Sequence, residues 1–169
     1  GNLQVKPGSS LTISSGLVGR DNGVTDGWID AYEDTTVTIT GGTVAGWVFS
    51  RGGDIDISGG QLDNVFVIGG GSLNLTVQSA MLNGVPIDLL PGVPLLIPDR
   101  GGALLEATLA DGTPFDLNLN PQYVIGQDAV HPNAMLTVTL IPAPASVIVM
   151  SAAGLCGGVR RRRPMPSMA

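Results

Sequence analysis

The chain has 169 residues, enough for one domain of moderate size with appendages. Charged residues make up 13% and hydrophobic ones 43%, with 25 glycines and 12 prolines, which argues against a helical bundle and against a disordered acidic chain. The formal charge is −6, and without the block Arg160 to Arg163 the body stands at −10, a surface that phosphate backbones repel, so no nucleic-acid partner is expected.

In chain order, the first feature is a repeat. Leu3 and Val5 are followed eight residues later by Leu11 and Ile13; Ile29 and Ala31 by Val37 and Ile39; Trp47 and Phe49 by Ile55 and Ile57; Val65 and Val67 by Leu73 and Leu75. The segment Val37-Thr-Ile-Thr-Gly-Gly recurs as Ile55-Asp-Ile-Ser-Gly-Gly after 18 residues, and the same step reaches Leu73. The first unit lies 26 residues before the second, which places an insertion of eight in the Gly/Asp/Asn-rich stretch from Gly19 to Gly27. Each unit reads as two short strands with period-two alternation and a Gly/Ser/Asp-rich corner. Alternation turns Val37 and Ile39 inward and Thr38 and Thr40 outward. By the same spacing Trp47 and Phe49 are expected inside, and Trp28, one residue before Ile29, outside.

A unit of this size cannot bury its own apolar face, whereas a stack of units makes a continuous core. The expected fold is therefore mostly β: a short right-handed parallel β-helix of about 18-residue coils over 1–77, then a β-hairpin region, then a C-terminal apolar helix. An antiparallel β-sandwich with regular hairpins is the alternative. Four coils are few, the chain begins with Gly, and no polar cap or apolar leader precedes Leu3, as expected of a piece of a longer chain.

Residues 78–140 depart from the repeat. Met81 to Pro98, with Pro86, Pro91, Pro94 and Pro98, is expected to run over the open end of the stack and cover its edge. Ala103–Leu109 and Phe115–Leu119, joined through Asp111-Gly112, read as a hairpin. After the loop Asn120 to Pro132, Ala134–Leu140 reads as a last strand.

Residue types suited to catalysis are present without the context that catalysis needs. His131, before Pro132, has no sequence neighbour to orient it, and Ser72 lies at a corner without a nucleophile elbow. Asp54 and Asp56 flank Ile55 and should both face out, with Asp63 nearby. They are surrounded by Ser and Thr, and are read as solubilising carboxylates. Cys156 is the only cysteine, so neither an intrachain disulfide nor a cysteine metal site is available, and no cofactor is expected. Asp26, Asp30, Glu33 and Asp34 form the one weak calcium candidate, centred on Asp26, Asp30 and Asp34. They match no EF-hand or Gly-rich calcium repeat. Trp28, facing out, is the better candidate for stacking against a ligand.

The tail is the most distinctive segment. Pro142-Ala143-Pro144-Ala145-Ser146 leads into the apolar run Val147 to Val159, and Arg160, Arg161, Arg162 and Arg163 follow at once. A helix of 13 residues rises about 20 Å, short of the ~30 Å hydrocarbon core, so the run is a marginal span helped by snorkelling arginines. The positive-inside bias puts the arginines in the cytoplasm and the body outside. The stretch 141–163 resembles the PEP-CTERM protein-sorting domain of bacteria, which pairs a Pro-Glu-Pro signature with a hydrophobic segment and terminal arginines. Ala143 stands where that signature has Glu, and 164–169 extends beyond the usual end. The resemblance implies transient anchoring in the inner membrane, handling by an exosortase-type processing enzyme, and a final place at the cell surface or outside the cell. It also implies a setting of exopolysaccharide and biofilm, with exopolysaccharide as a possible partner. The resulting expectation is an exported structural or adhesive surface protein that is not an enzyme. The alternatives are a polysaccharide-degrading β-helix enzyme and a calcium-dependent carbohydrate-binding module.

Overall fold

Val, Ile and Leu alternating with Thr, Ser and Asp make strands with one apolar and one polar face, and such strands become stable only when the apolar faces meet. In the computed structural model, which describes residues 3–19, 27–98, 101–124 and 127–142, every regular element among those residues is a strand. The elements are β1 (Leu3–Val5), β2 (Ser10–Ile13), β3 (Leu17–Gly19), β4 (Trp28–Tyr32), β5 (Thr36–Arg51), β6 (Asp54–Ile68) and β7 (Ser72–Leu82). They are followed by β8 (Val85–Pro86), β9 (Leu95–Leu96), β10 (Leu104–Leu109), β11 (Pro114–Asn118), β12 (Ala129–Val130) and β13 (Met135–Leu140). The chain is mostly β.

Successive units pair in parallel along three legs. In the first leg Leu11, Val37, Ile55, Leu73 and Leu136 lie in register, and so do Ile13, Ile39, Ile57, Leu75 and Val138. In the second, Val18, Val44 and Leu62 align. In the third, Ile29 pairs with Val48 and Val48 with Val65, while Ala31, Ser50, Val67 and Val130 form the next row. The two strands per unit expected from the sequence are thus three legs. The additional leg is short and follows the Gly41-Gly42 and Gly59-Gly60 corners, where Gly42 (φ 84°) and Gly60 (φ 91°) take a backbone conformation that other residues resist. The 26-residue step holds in all three legs between the first and second units, so the inserted residues fall between Gly19 and Gly27 as expected.

Parallel stacking also passes the boundary expected at Val77. The chain leaves the stack there, builds the hairpin, and returns with β12 on Phe66 and Val67 and with β13 on Ser72 through Val77. During the excursion the distal half of β7 pairs antiparallel with β10, and β10 with β11, with Ala107 opposite both Ala80 and Phe115. The hairpin tip rests on the stack. The Asp111 carboxylate accepts the N–H groups of Gly60 and Thr113, each at 2.8 Å, and the Asp111 N–H donates to the Ser58 carbonyl at 3.2 Å. Burial alone would raise the Asp111 pKa, but the Thr113 and Gly60 backbone donors and the Thr113 hydroxyl outweigh it, and the group sits below the ordinary carboxylate value.

The Pro-rich stretch runs along β13. β9 pairs antiparallel with it, Leu96 opposite Thr137 and Leu95 opposite Val138, and the Gly92 N–H donates to the Leu140 carbonyl at 2.9 Å. That pairing covers an edge which would otherwise offer free donors and acceptors to other chains. One contiguous apolar core runs from Val5 to Val138 and takes in Leu105, Phe115 and Leu117 of the hairpin.

Candidate functional site

The third leg differs from the other two because its sequence is apolar on both faces. Trp47-Val48-Phe49 and Val65-Phe66-Val67-Ile68 are runs of three and four, and a strand with such a run must be covered on both sides. The structure puts Val48, Val65 and Val67 in the main core and turns Trp47, Phe49 and Phe66 to the outer face. This corrects the expectation that Trp47 and Phe49 point inward. The cause is one extra residue. Ile29 meets Val48 after 19 residues and Val48 meets Val65 after 17, so the average of 18 hides a slip by one, and in a strand a slip by one exchanges the faces. The slip lies between Val44 and Trp47, where Gly46 has φ 146° and a Cβ would collide with the Gly27 carbonyl oxygen.

The outer face so formed is an aromatic cluster. Trp28 and Trp47 are register partners with ring centroids 6.4 Å apart and planes 24° apart. Phe49 stacks on its partner Phe66 at 4.7 Å and 15°, close to the strand spacing itself. Trp47 packs against Phe49 at 5.6 Å and Phe66 at 5.3 Å. Tyr123, from the loop before β12, closes one side at 5.0 Å from Phe66. Phe49 and Phe66 are buried beneath this arrangement, Trp28 and Trp47 are half-buried, and Tyr123 is 46% exposed. The rings therefore form the wall of an open cleft of about 390 Å³, lined by Trp28, Trp47, Phe49, Arg51, Ile68 and Tyr123. That volume is within the range of small-molecule sites, which pair apolar walls with a few placed polar groups.

The polar groups are Arg51 and Asp30. Arg51 follows Phe49 by two residues and so shares its face; its Nε donates to Asp30 Oδ1 at 2.8 Å and its guanidinium lies 5.2 Å from the Phe49 ring centroid. The hydrogen bond to Asp30 raises the Arg51 pKa despite partial burial. Asp30 is almost wholly buried, whereas 41% of the Arg51 side chain is exposed. Trp47 Nε1 is buried without an acceptor, the one such side-chain atom among the described residues.

The loop carrying Tyr123 is held by Asp128. Its carboxylate accepts the Val65 N–H at 2.9 Å and the Asn118 N–H at 3.2 Å, and its carbonyl accepts the Asn120 side-chain amide at 3.3 Å. Burial pushes the Asp128 pKa above the ordinary carboxylate value, and the Val65 and Asn118 donors offset part of that rise.

Several other residues singled out in the sequence have structural partners. Asp54 and Asp56 face out from the first leg; Asp54 accepts the Ser72 hydroxyl at 2.5 Å and Asp56 the Asn74 amide at 2.8 Å, with Thr137 donating to Asn74 Oδ1 at 2.6 Å. Asp63 is exposed. His131 is half-buried, and its Nδ1 accepts the Asn133 N–H at 3.1 Å. Of the calcium candidates, Asp30 is engaged by Arg51, Asp34 sits beside Glu33 in an exposed turn at φ 59°, and Asp26 lies outside the described residues. Among the described residues no group of three or more His, Cys, Asp or Glu converges as a metal site. Pro142 is exposed at the end of the described chain; Ala143, Pro144, Arg160 to Arg163 and the expected apolar helix lie outside it. Among the described residues no helix is long and apolar enough to cross a membrane.

Sequence reasoning missed Phe49, Phe66, Arg51 and Tyr123 as members of one site. The usable signal was the pair of uninterrupted apolar runs, with Arg51 at the same parity as Trp47 and Phe49. No family model matches the chain, and no curated protein or solved structure matches it.

Proposed function

We propose that this chain is an exported bacterial surface or extracellular-matrix protein, structural and adhesive rather than catalytic, that contacts exopolysaccharide through the aromatic cleft. In this reading the parallel stack is a right-handed β-helix. The stretch 141–163 holds the body at the inner membrane through its apolar run until an exosortase-type enzyme processes it. The observation that carries the adhesive reading is the outward row of Trp28, Trp47, Phe49 and Tyr123 beside Arg51, since apolar rings placed at an open surface beside hydrogen-bond donors suit ligand capture. The sorting half rests on Pro142, Pro144, the apolar run and Arg160 to Arg163.

Two experiments test the halves separately. Replacing Arg160 to Arg163 with Ser, and Pro142 and Pro144 with Gly, should leave the protein unprocessed or misplaced in cell fractions; unchanged maturation and location refute the sorting half. In gels cast with exopolysaccharide, the full chain should be retarded and a Tyr123→Ala chain should run faster. Equal mobility of the two chains refutes the adhesive half.

A further inference from the structure

We infer that the cleft recognises uncharged hexopyranosyl units, so that its partner is a neutral glycan rather than an acidic one. The inference rests on the adhesive reading above and names the ligand class of the same cleft. Recognition of a sugar requires two surfaces at once. One face of a pyranose ring presents C–H bonds, which are weakly positive and match the negative face of an aromatic ring, while the rim presents hydroxyls that need hydrogen-bond partners. The cleft offers both, with Trp28, Trp47 and Tyr123 as ring surfaces and Arg51 as donor.

The electrostatics decide between neutral and acidic sugars. An acidic glycan needs a cation whose charge is not already compensated. Among the described residues Arg51 is the only cation lining the cleft, and a buried carboxylate holds its Nε at 2.8 Å. The pair is close to neutral as a unit, so Arg51 serves as a fixed fork of N–H donors instead of a net positive charge. Asp30 acts as a positioning residue, because its carboxylate holds Nε of the Arg51 guanidinium that lies 5.2 Å from the Phe49 ring centroid and lines the cleft. The surroundings point the same way. Glu33 and Asp34 lie in the turn after β4, and the body as a whole stands at −10 without its terminal arginine block, a net charge that disfavours a polyanion.

Titration calorimetry on the full chain separates the outcomes, with cellopentaose and mannopentaose as neutral probes and tetragalacturonate as the acidic one. At least one neutral probe should bind saturably, and Trp28→Ala and Tyr123→Ala should each weaken it by about tenfold or more. Thr38→Ala, on the outer face of the first leg, should leave it unchanged. Asp30→Asn should reduce neutral binding by loosening Arg51 and raise affinity for tetragalacturonate by uncovering its charge, a reversal that simple loss of packing would not produce. Tighter binding of tetragalacturonate than of both neutral probes by the unmodified chain overturns the neutral-ligand inference and leaves the adhesive reading standing. Binding of none of the three overturns both. Tyr123 is exposed on a loop, so its substitution keeps the test valid if the Trp28 variant fails to fold.

Discussion

The first and third legs of the stack are built from the same alternating pattern and end up with different tasks. In the first leg the register advances by 18 residues from Val37 to Ile55 and again to Leu73, the inner face is wholly apolar, and the outer face is Thr, Ser, Asp and Asn bonded to one another. In the third leg the steps are 19 and then 17, the inner face includes Ser50, and the outer face carries the aromatic rings. A uniform step yields a wall that satisfies its own polar groups. An uneven step, absorbed at one glycine, places large apolar side chains outside, where they can meet something other than the chain itself.

Substitutions can break this contrast or sharpen it. The largest effect is expected in the uniform leg: Ile55→Ala, at a fully buried position, should lower unfolding free energy by about 2–5 kcal/mol in denaturant titration and leave the cleft's ligand affinity unchanged in the folded fraction. An Ile55→Ala loss under about 0.5 kcal/mol would mean that the leg is not core. Next is Gly46→Ala, which puts a methyl group against the Gly27 carbonyl. It should cost about 1–3 kcal/mol through backbone strain and, unlike Ile55→Ala, also impair the cleft by shifting Trp47. Asp128→Ala leaves the buried Val65 N–H without its acceptor and should cost about 1–3 kcal/mol while freeing the Tyr123 loop, seen as faster amide exchange around Asn120. Tyr123→Ala should change stability by less than about 0.5 kcal/mol and act on binding alone.

The smallest effects are those of pH, and the two loop carboxylates should act with opposite sign. Asp111 has a lowered folded pKa, so its contribution is present above the unfolded value near 3.8 and is lost as pH falls through the lower folded value. Asp128 has a raised folded pKa, so its contribution is complete below 3.8 and is lost as pH rises through the higher folded value. Melting curves from about pH 2 to 7 should therefore show that Asp111→Asn reduces the loss of stability on acidification, whereas Asp128→Asn reduces the loss on raising pH. The same sign for both variants would contradict either the hydrogen bonds that lower the Asp111 pKa or the burial that raises that of Asp128.

How much of this was legible depended on whether local pattern or long-range register decided it. Val37, Ile39, Ile55 and Leu73 followed from alternation and a repeated motif, and the hairpin from Asp111-Gly112, because both signals are local. Trp28 could be placed on the outer face by its offset from Ile29. Trp47 and Phe49 could not, because an average period carries no information on where a single residue is inserted, and the run Trp47-Val48-Phe49 is apolar in either parity. Tyr123 joins the site across 57 residues of sequence from Phe66, through a loop anchored by Asp128, and nothing near either residue announces that contact. The return of β12 and β13 to the stack was hidden for the same reason, since the intervening hairpin erases the period.

The two tryptophans of the chain both lie in the cleft, which gives the most direct test of the proposed site. In a ¹⁵N-labelled full chain the two indole N–H signals report on Trp28 and Trp47 alone. Titration with a neutral pentasaccharide should shift both signals together and saturate, with the Arg51 Nε signal moving in parallel and the Ile55 and Leu73 amides unmoved. Indole signals that stay in place at saturating sugar, or shifts confined to the Thr-rich outer face of the first leg, would contradict the assignment of the aromatic cleft as the glycan contact.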